Sequence, residues 1–354
     1  MDNPFKFGTI VEEKYFTDRI KEVAYINQFL KSPNHLVLIS PRRFGKSSLV
    51  AKAVKESGRD YIVVNLQKVT SVSDLSAKLL REFLKNHPME RIKHLISHFR
   101  IIPSVSTNIL TGAMDVSFQP DVNDSVLLDD VMTLLDKAHT EKDRLIVVLD
   151  EFQEIHQIAA GLDRRLRAIM QEQENINYIL LGSQESMMSD IFENKKSPFY
   201  HFGELMRLGK LPRADFFEYL SERLADVFPE THEKLSDDIL DYTDCHPYYS
   251  QQLAANVWQV GVLNPDTEDV LQAAIDNIVV SHSLDYERLW MGFNRTNRWI
   301  LRRLASGQPL LSGEHKTSTV YSALKRLQKD GYVIYSDRYE MEDPFFGQWV
   351  VSEN

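Results

Sequence analysis

Two short stretches carry residue types at spacings that suit phosphate chemistry. The first is Ser40-Pro41-Arg42-Arg43-Phe44-Gly45-Lys46-Ser47, between the apolar run Leu36-Val37-Leu38-Ile39 and a helix-compatible segment. A strand, a loop ending in Gly-Lys-Ser, and a helix is the order of a phosphate-binding P-loop. Loop amides turned inward form a nest for anionic oxygens, and the positive end of the following helix adds to the field. Lys46 can reach the β and γ phosphates, and the Ser47 hydroxyl can ligate Mg²⁺. The expected nucleotide-binding residues are therefore Pro41, Arg42, Arg43, Phe44, Gly45, Lys46, Ser47 and Ser48. One position departs from G-x-x-x-x-G-K-[ST]. Ser40 stands where the first glycine opens the turn, whereas Gly45, the glycine nearest the phosphates, is kept.

The second stretch is Leu145 to Leu149, a buried-strand run closed by Asp150-Glu151. In a parallel sheet, ligands gather outside the carboxyl ends of the strands. Asp150 is thus expected to hold Mg²⁺ through water. Glu151 is expected to polarise or deprotonate the attacking water. A further apolar run, Asn177-Tyr-Ile-Leu-Leu, ends at Gly182-Ser183. Ser183 reads either as a sensor of the γ-phosphate or as the polar start of a loop. Lys46, Glu151 and Ser183 make up the expected catalytic set, with Ser47 and Asp150 as metal ligands.

The elements that must position these groups alternate in type. Helical spacing of Ile20, Val23, Ile26, Phe29 and Leu30 predicts a helix, with Thr17 or Asp18 as its N-cap. The P-loop helix runs to about Ser57, where Gly58 stops it. Tyr61 to Leu66 reads as a strand, Ser73 to Lys85 as a helix, and Met89 to Phe99 as a second helical piece. Residues 101–119 suggest a β-hairpin excursion with its turn at Thr111-Gly112. Val126 to Ala138 and Leu162 to Gln173 read as helices, and Leu205 to Leu211 as a last strand. This alternation predicts an α/β fold: a P-loop ATPase parallel sheet covered by helices. Ala214 to about His282 is nearly all helical and reads as a lid beside the nucleotide. The expected domains are an ATPase domain at 1–211, the helical lid at 212–285 and a winged helix-turn-helix at 286–354.

The last of these rests on two helices, Thr296 to Leu304 and Ser318 to Gln328, followed by a hairpin from Gly331 to Met341. Val320, Leu324 and Leu327 point inward. Thr319, Ser322, Lys325, Arg326 and Lys329 form an outward face that suits phosphate and base-edge contacts. Winged helices also dock proteins, so double-stranded DNA, a protein partner and a second copy of the chain all stay open as partners. Asp343-Pro344-Phe345-Phe346 and Trp349 are expected to pack the tail onto the body.

Bulk composition narrows the classes. The chain has 354 residues, 43% of them hydrophobic, enough for a packed core. A single cysteine, Cys245, excludes a disulfide framework and argues against a cysteine-based zinc site. Residues 1–10 lack the apolar core of a signal peptide, and no apolar run approaches the ~18–20 residues of a membrane span. No membrane association and a cytoplasmic location are the expectation. The net charge of −10 argues against general nucleic-acid coating. From Arg288 to Arg338, however, ten Lys and Arg face three Asp and Glu, which sets that segment apart.

Together these stretches resemble the archaeal-type ATPase family, in the STAND and AAA+ branch of P-loop ATPases. The resemblance covers most of the chain. It is carried by the Asn3-Pro4-Phe5 arm, Phe16-Thr-Asp-Arg19-x-x-Glu22, Pro41 to Ser47, Leu149-Asp-Glu-Phe-Gln153, Leu181-Gly-Ser183, Ser197-Pro-Phe-Tyr200, His246-Pro-Tyr-Tyr249 and Asp343-Pro-x-Phe346. It implies ATP binding and Mg²⁺-dependent hydrolysis, with Phe16 and Arg19 bordering the adenine and His246 and Pro247 touching the nucleotide from the lid. Residue chemistry alone makes His246 a capping or core histidine. Relatives often carry Gly-Arg after the Ser-Pro-x-Tyr segment, where this chain has His201-Phe202-Gly203. Arg42, Arg43 and Arg164 are other candidates for an arginine finger, and Arg207 lies near the altered place.

The leading expectation is an ATP-driven molecular switch whose nucleotide state repositions the winged helix. The competing classes are a DNA-binding regulator with a mainly structural nucleotide and a signalling scaffold that oligomerises in ATP. The intact Asp150-Glu151 pair favours hydrolysis. A kinase fits less well, since nothing after that strand suggests an acceptor pocket.

Overall fold

The computed structural model describes residues 2–11, 15–17, 19–87, 94–97, 100, 103–107, 114–118, 123–310 and 316–353. It divides into two compact units, one of Ile20–Ser40 and Leu49–Leu208, the other of Met1–Arg19, Pro41–Ser48 and Gly209–Asn354.

In the first unit the apolar runs line up as a parallel sheet. Its elements are α1 (Ile20–Phe29), β1 (Leu36–Ile39), α2 (Lys46–Glu56) from Leu49 onward, β2 (Tyr61–Asn65), α3 (Val72–Asn86), β3 (Ser104–Thr107), β4 (Met114–Ser117), α4 (Asp124–Lys137), β5 (Leu145–Asp150), α5 (Ile155–Ile158), α6 (Leu162–Glu172), β6 (Ile176–Gly182), α7 (Glu185–Phe192) and β7 (Glu204–Arg207). The strand order is β2-β5-β6-β1-β7. Every pairing in that sheet is parallel. All of β1 and β6, and β5 up to Leu149, are buried, as near-continuous Val, Ile and Leu runs require when helices cover both faces.

The register places the strand ends that matter together. Ile39 pairs with Gly182, Leu149 with Leu180, and Asn65 with Asp150. The carboxyl ends of β1, β5 and β6 therefore share one end of the sheet. At the opposite end, Arg59 donates to the carbonyls of Leu30 and Arg144 and to Asn177 Oδ1, which ties three connections together. β3 and β4 form the expected antiparallel hairpin, with Val105 opposite Val116. Its expected turn at Thr111-Gly112, and most of the helical piece at 89–99, lie outside the described residues.

The second unit holds α8 (Arg213–Leu224), α9 (His232–Thr243), α10 (Pro247–Leu263), α11 (Val270–Gly292), α12 (Arg295–Ala305), α13 (Thr317–Lys329), the antiparallel pair β8 (Val333–Tyr335) and β9 (Tyr339–Met341), and α14 (Pro344–Glu353). One hydrophobic core runs from Phe216, Leu220 and Leu253 through Ile300, Leu324 and Leu327 to Phe345 and Trp349. The expected boundary between 285 and 286 falls within α11, an unbroken helix of 23 residues. α13 starts at Thr317, with Lys316 before it. Val320, Leu324 and Leu327 are buried, while Thr319, Ser322, Lys325, Arg326 and Lys329 are exposed. The Asp343 carboxylate caps α14 by accepting from the amides of Phe345 and Phe346 at 2.8 and 3.1 Å. Among the described residues, no helix is long and apolar enough to cross a membrane.

Candidate functional site

The P-loop lies in the second unit and opens onto a cavity of about 650 Å³. Arg43, Phe44, Gly45, Lys46, Ser47 and Ser48 line one side of it. Gly45 has φ +84° and Arg43 φ +66°, so the chain reverses at these two residues. Gly45 supplies the left-handed conformation without steric cost. Ser40, within the first unit, is fully buried, and its amide donates to the Gly182 carbonyl at 3.3 Å, which prolongs the β1–β6 pairing. Its φ is not positive, so a side chain fits where the usual motif has glycine.

The rest of the lining comes from the N-terminal arm, from Leu211 and from α10. Lys6 to Val11, Phe16, Thr17 and Arg19 face the cavity, together with Leu211, Pro247, Tyr248 and Gln251. Specific contacts hold the arm: Asn3 Nδ2 donates to the Ala255 carbonyl, Phe7 meets Tyr248 edge-on at 5.7 Å, and the Val11 amide donates to Ser48 Oγ at 3.1 Å. Gln251 Nε2 donates to Thr17 Oγ1 at 3.0 Å, and buried Arg19 donates to the Gly209 carbonyl at 2.6 Å. Arg19, at φ +64°, directly precedes α1; Asp18 lies outside the described residues. The pocket thus offers backbone amides and Lys46 at one end and Phe16, Leu211, Pro247 and Tyr248 as apolar surface, the mixture a nucleotide requires.

Not every expected residue reaches this cavity. Pro41, Arg42 and His246 are not among its lining residues, whereas Pro247 is. His246 is buried and caps α10: its Nδ1 accepts from the amides of Tyr248 and Tyr249. Burial, then the charges of Lys210 and Arg43, lower its pKa to about 3. Its ring meets Phe44 edge-on at 4.8 Å, so its link to the nucleotide loop is through Phe44.

A chain of contacts leads from the loop into the C-terminal hairpin. Arg43 Nη1 donates to Tyr249 Oη at 2.8 Å, and Tyr249 Oη donates to Glu342 Oε2 at 2.7 Å. The Arg43 guanidinium also stacks over Tyr248, 4.5 Å from the ring centre. Burial pushes the Glu342 carboxyl up to about 7, against the opposing pull of Tyr249 and Arg43. Among the other finger candidates, Arg207 pairs with Glu193 at 2.7 Å and Arg164 is exposed on α6.

The sheet unit carries a separate acidic group. Asp150 ends β5, and Glu151 follows at φ +54° and ψ +48°. Left-handed backbone at a glutamate costs about 1–2 kcal/mol and persists only when its surroundings fix it. Here the Glu151 amide donates to Asp150 Oδ1 at 2.9 Å. Glu151 Oε2 accepts from Ser183 Oγ at 2.7 Å and from Gln153 Nε2 at 2.5 Å. Ser183 and Gln153 are both buried. The arrangement is an oriented carboxylate at the carboxyl end of an interior strand.

A Gly-Lys-Ser loop before a helix and an acidic pair ending a buried parallel strand are features of P-loop ATPases. A family model described as an ATPase domain predominantly from Archaea matches residues 16–253. The chain belongs to this ATPase family. ATP binding and hydrolysis are the family's chemistry. Solved structures agree on the fold. The Walker-type ATPase PABY2304 of Pyrococcus abyssi is 19% identical with a TM-score of 0.66, over 96% of this chain and 97% of that one. The ORC2 protein of Aeropyrum pernix, in its ADPNP-ADP complexes, is 16% identical with a TM-score of 0.60, over 98% and 96%. None of the curated proteins matches the chain.

Residue types and spacing did not single out Gln153, Tyr248, Tyr249, Gln251, Glu342 or the lining from Lys6 to Val11. Tyr248 and Tyr249 lie inside the His246-Pro-Tyr-Tyr249 motif, and Gln153 ends Leu149-Asp-Glu-Phe-Gln153. For Glu342 there was no local signal: its partner lies 93 residues away.

Proposed function

We propose that this ATPase is a Mg²⁺-dependent molecular switch whose γ-phosphate state sets the disposition of its C-terminal winged helix. The observation that carries the reading is Glu151, left-handed and gripped by Ser183 and Gln153. A carboxylate held at that cost suits proton abstraction from water better than a purely structural nucleotide.

In this reading Lys46 and the loop amides take the phosphates. Ser47 and Asp150 supply oxygen ligands for Mg²⁺, which would screen charge on the phosphates. Glu151 accepts a proton from the attacking water, and Ser183 keeps Glu151 aimed. The P-loop follows β1 directly in the chain, and the carboxyl ends of β1, β5 and β6 share one end of the sheet. Phe16 and Arg19 border the base, and Pro247 and Tyr248 close on it from the lid. The working parts are the ATPase segment 1–211, the lid 212–285 and the winged helix 286–354. The Arg43–Tyr249–Glu342 contacts are the route by which the loop reports to the hairpin.

For the output, the exposed row of Thr319, Ser322, Lys325, Arg326 and Lys329 favours duplex DNA over a protein partner or a second copy. The test is ATP turnover by the purified chain, with and without duplex DNA, across salt concentrations. Turnover stimulated by DNA at low salt and not at high salt fits the switch with DNA as output. Turnover indifferent to DNA removes DNA as the output, and no Mg²⁺-dependent turnover under any condition removes the switch.

A further inference from the structure

Away from the nucleotide site, three chemistry-bearing side chains of the sheet unit converge. Asp60 stands directly before β2, His87 directly after α3, and His139 two residues after α4. His87 Nε2 lies 3.3 Å from Asp60 Oδ2, and His139 Nε2 lies 3.7 Å from the same oxygen. One ligand atom from each residue falls within 4.8 Å of the others.

The protonation pattern is fixed by the backbone. His87 Nδ1 sits 3.1 Å from the Phe83 carbonyl, and His139 Nδ1 sits 3.1 Å from the Leu135 carbonyl. A carbonyl oxygen only accepts, so each Nδ1 carries the proton. In that tautomer each imidazole turns its Nε2 toward Asp60. Nδ1–H donation to a backbone carbonyl is the arrangement that orients metal-ligating histidines and raises their basicity.

The environment restricts the alternatives. The His139 side chain is 3% exposed, and its Nε2 has no hydrogen-bond partner. The Phe83 ring stacks on His87 at 4.1 Å and meets His139 edge-on at 5.9 Å, so the pair has an apolar wall on that side. A buried lone pair from His139, a part-buried one from His87 and a carboxylate facing one point repel one another unless a cation lies among them.

We propose that Asp60, His87 and His139 form a binding site for one divalent transition-metal ion, with Zn²⁺ the best match. Zn–N and Zn–O bonds of 2.0–2.2 Å in a tetrahedron put ligand atoms about 3.3 Å apart, near the two separations to Asp60. Two imidazoles and a carboxylate select Zn²⁺ and its neighbours over Mg²⁺ or Ca²⁺, which prefer all-oxygen shells. The Asp60 side chain is 46% exposed, so solvent can complete the shell. The site sits at the amino end of β2, whereas Asn65 at the other end pairs with Asp150. Its role is therefore to pin the last turns of α3 and α4 to the sheet, remote from hydrolysis.

The test uses the full chain, stripped with chelator and held in excess Mg²⁺ and ADP so that the P-loop metal position is filled. Zn²⁺ is titrated calorimetrically, and Co²⁺ is added as an optical probe. The expected result is one Zn²⁺ per chain, a melting temperature raised by several degrees, and visible Co²⁺ bands of a low-symmetry nitrogen–oxygen site. His87→Gln and His139→Gln should each weaken Zn²⁺ at least 100-fold and abolish the bands, while ADP affinity stays unchanged. Asp60→Asn keeps an oxygen but loses the charge, and should fall between them and the parent. Absence of stoichiometric Zn²⁺ binding by the parent overturns the proposal. So does Zn²⁺ binding that survives in a folded His139→Gln chain.

Discussion

The Ser183 hydroxyl donates a 2.7 Å hydrogen bond to Glu151 Oε2, joining the end of β6 to the residue that follows β5. In the proposed mechanism this makes Ser183 a positioning residue, because its hydrogen goes to Glu151, the proposed base. Ser183→Ala should therefore lower kcat about tenfold and leave KM for ATP unchanged, whereas Glu151→Gln should lower kcat at least 100-fold with ATP still bound. Steady-state kinetics on both variants decides this. A raised KM in Ser183→Ala would instead mean that the hydroxyl meets the phosphate.

At Gly45 the argument is backbone alone. A Cβ built there meets no atom within 4 Å, so alanine would not clash. At φ +84° it still costs about 1–2 kcal/mol, enough to favour another loop conformation and turn the amides away. Gly45→Ala should weaken ATP binding about tenfold. Lys46→Ala should weaken it at least as much, through lost charge, with the fold intact. Titration with a fluorescent nucleotide, alongside circular dichroism, separates the two effects from unfolding.

What could be read beforehand follows sequence distance. The strands β1, β5 and β6 and the P-loop were legible because a buried parallel strand is a local run of apolar residues and the loop is a local spacing. The α13 face was legible because Val320, Leu324 and Leu327 repeat at helical spacing. Glu151 was legible by type and place, but its grip by Ser183 was not, since that depends on how β5 and β6 align. Arg43 and Tyr249 lie 206 residues apart, and no local pattern ties them. The same holds for Asp60, His87 and His139, each of which is by itself an ordinary polar residue at the end of an element.

Glu342 gives the fold a pH signature. Its carboxyl is held up at about 7, chiefly by burial, above an ordinary value of 4.5. A raised pKa means the folded state binds the proton more tightly. This group's stabilisation is therefore full below pH 4.5 and is lost as pH rises through 7. His246 acts in the opposite sense. With its pKa lowered from 6.5 to about 3, its contribution is present above pH 6.5 and lost as pH falls toward 3. From pH 6.5 to 8 the Glu342 contribution should fall by roughly 1 kcal/mol. Glu342→Gln removes it and leaves that of His246. The stability difference between parent and variant, from urea unfolding at each pH, should change by that amount; a constant difference would contradict the assignment.

Tyr249 stands between Arg43 of the P-loop and Glu342 of the hairpin, and its hydroxyl serves both. Tyr249→Phe keeps the ring that packs on His246 and Phe345 but removes the oxygen, leaving the guanidinium and the carboxylate without that bridge. Breaking hydrogen bonds to charged groups costs about 1.5–3 kcal/mol, so unfolding should shift by that order. The functional consequence differs from that of a loop variant. ATP should bind Tyr249→Phe with near-parent affinity, because the hydroxyl does not serve the phosphates. The nucleotide-dependent protection of residues 333–353 from hydrogen exchange should nevertheless disappear. Because one hydroxyl serves both neighbours, Arg43→Ala and Tyr249→Phe together should destabilise by less than the sum of the two. Strict additivity, or protection that persists in Tyr249→Phe, would mean that the hairpin does not read the nucleotide through this residue.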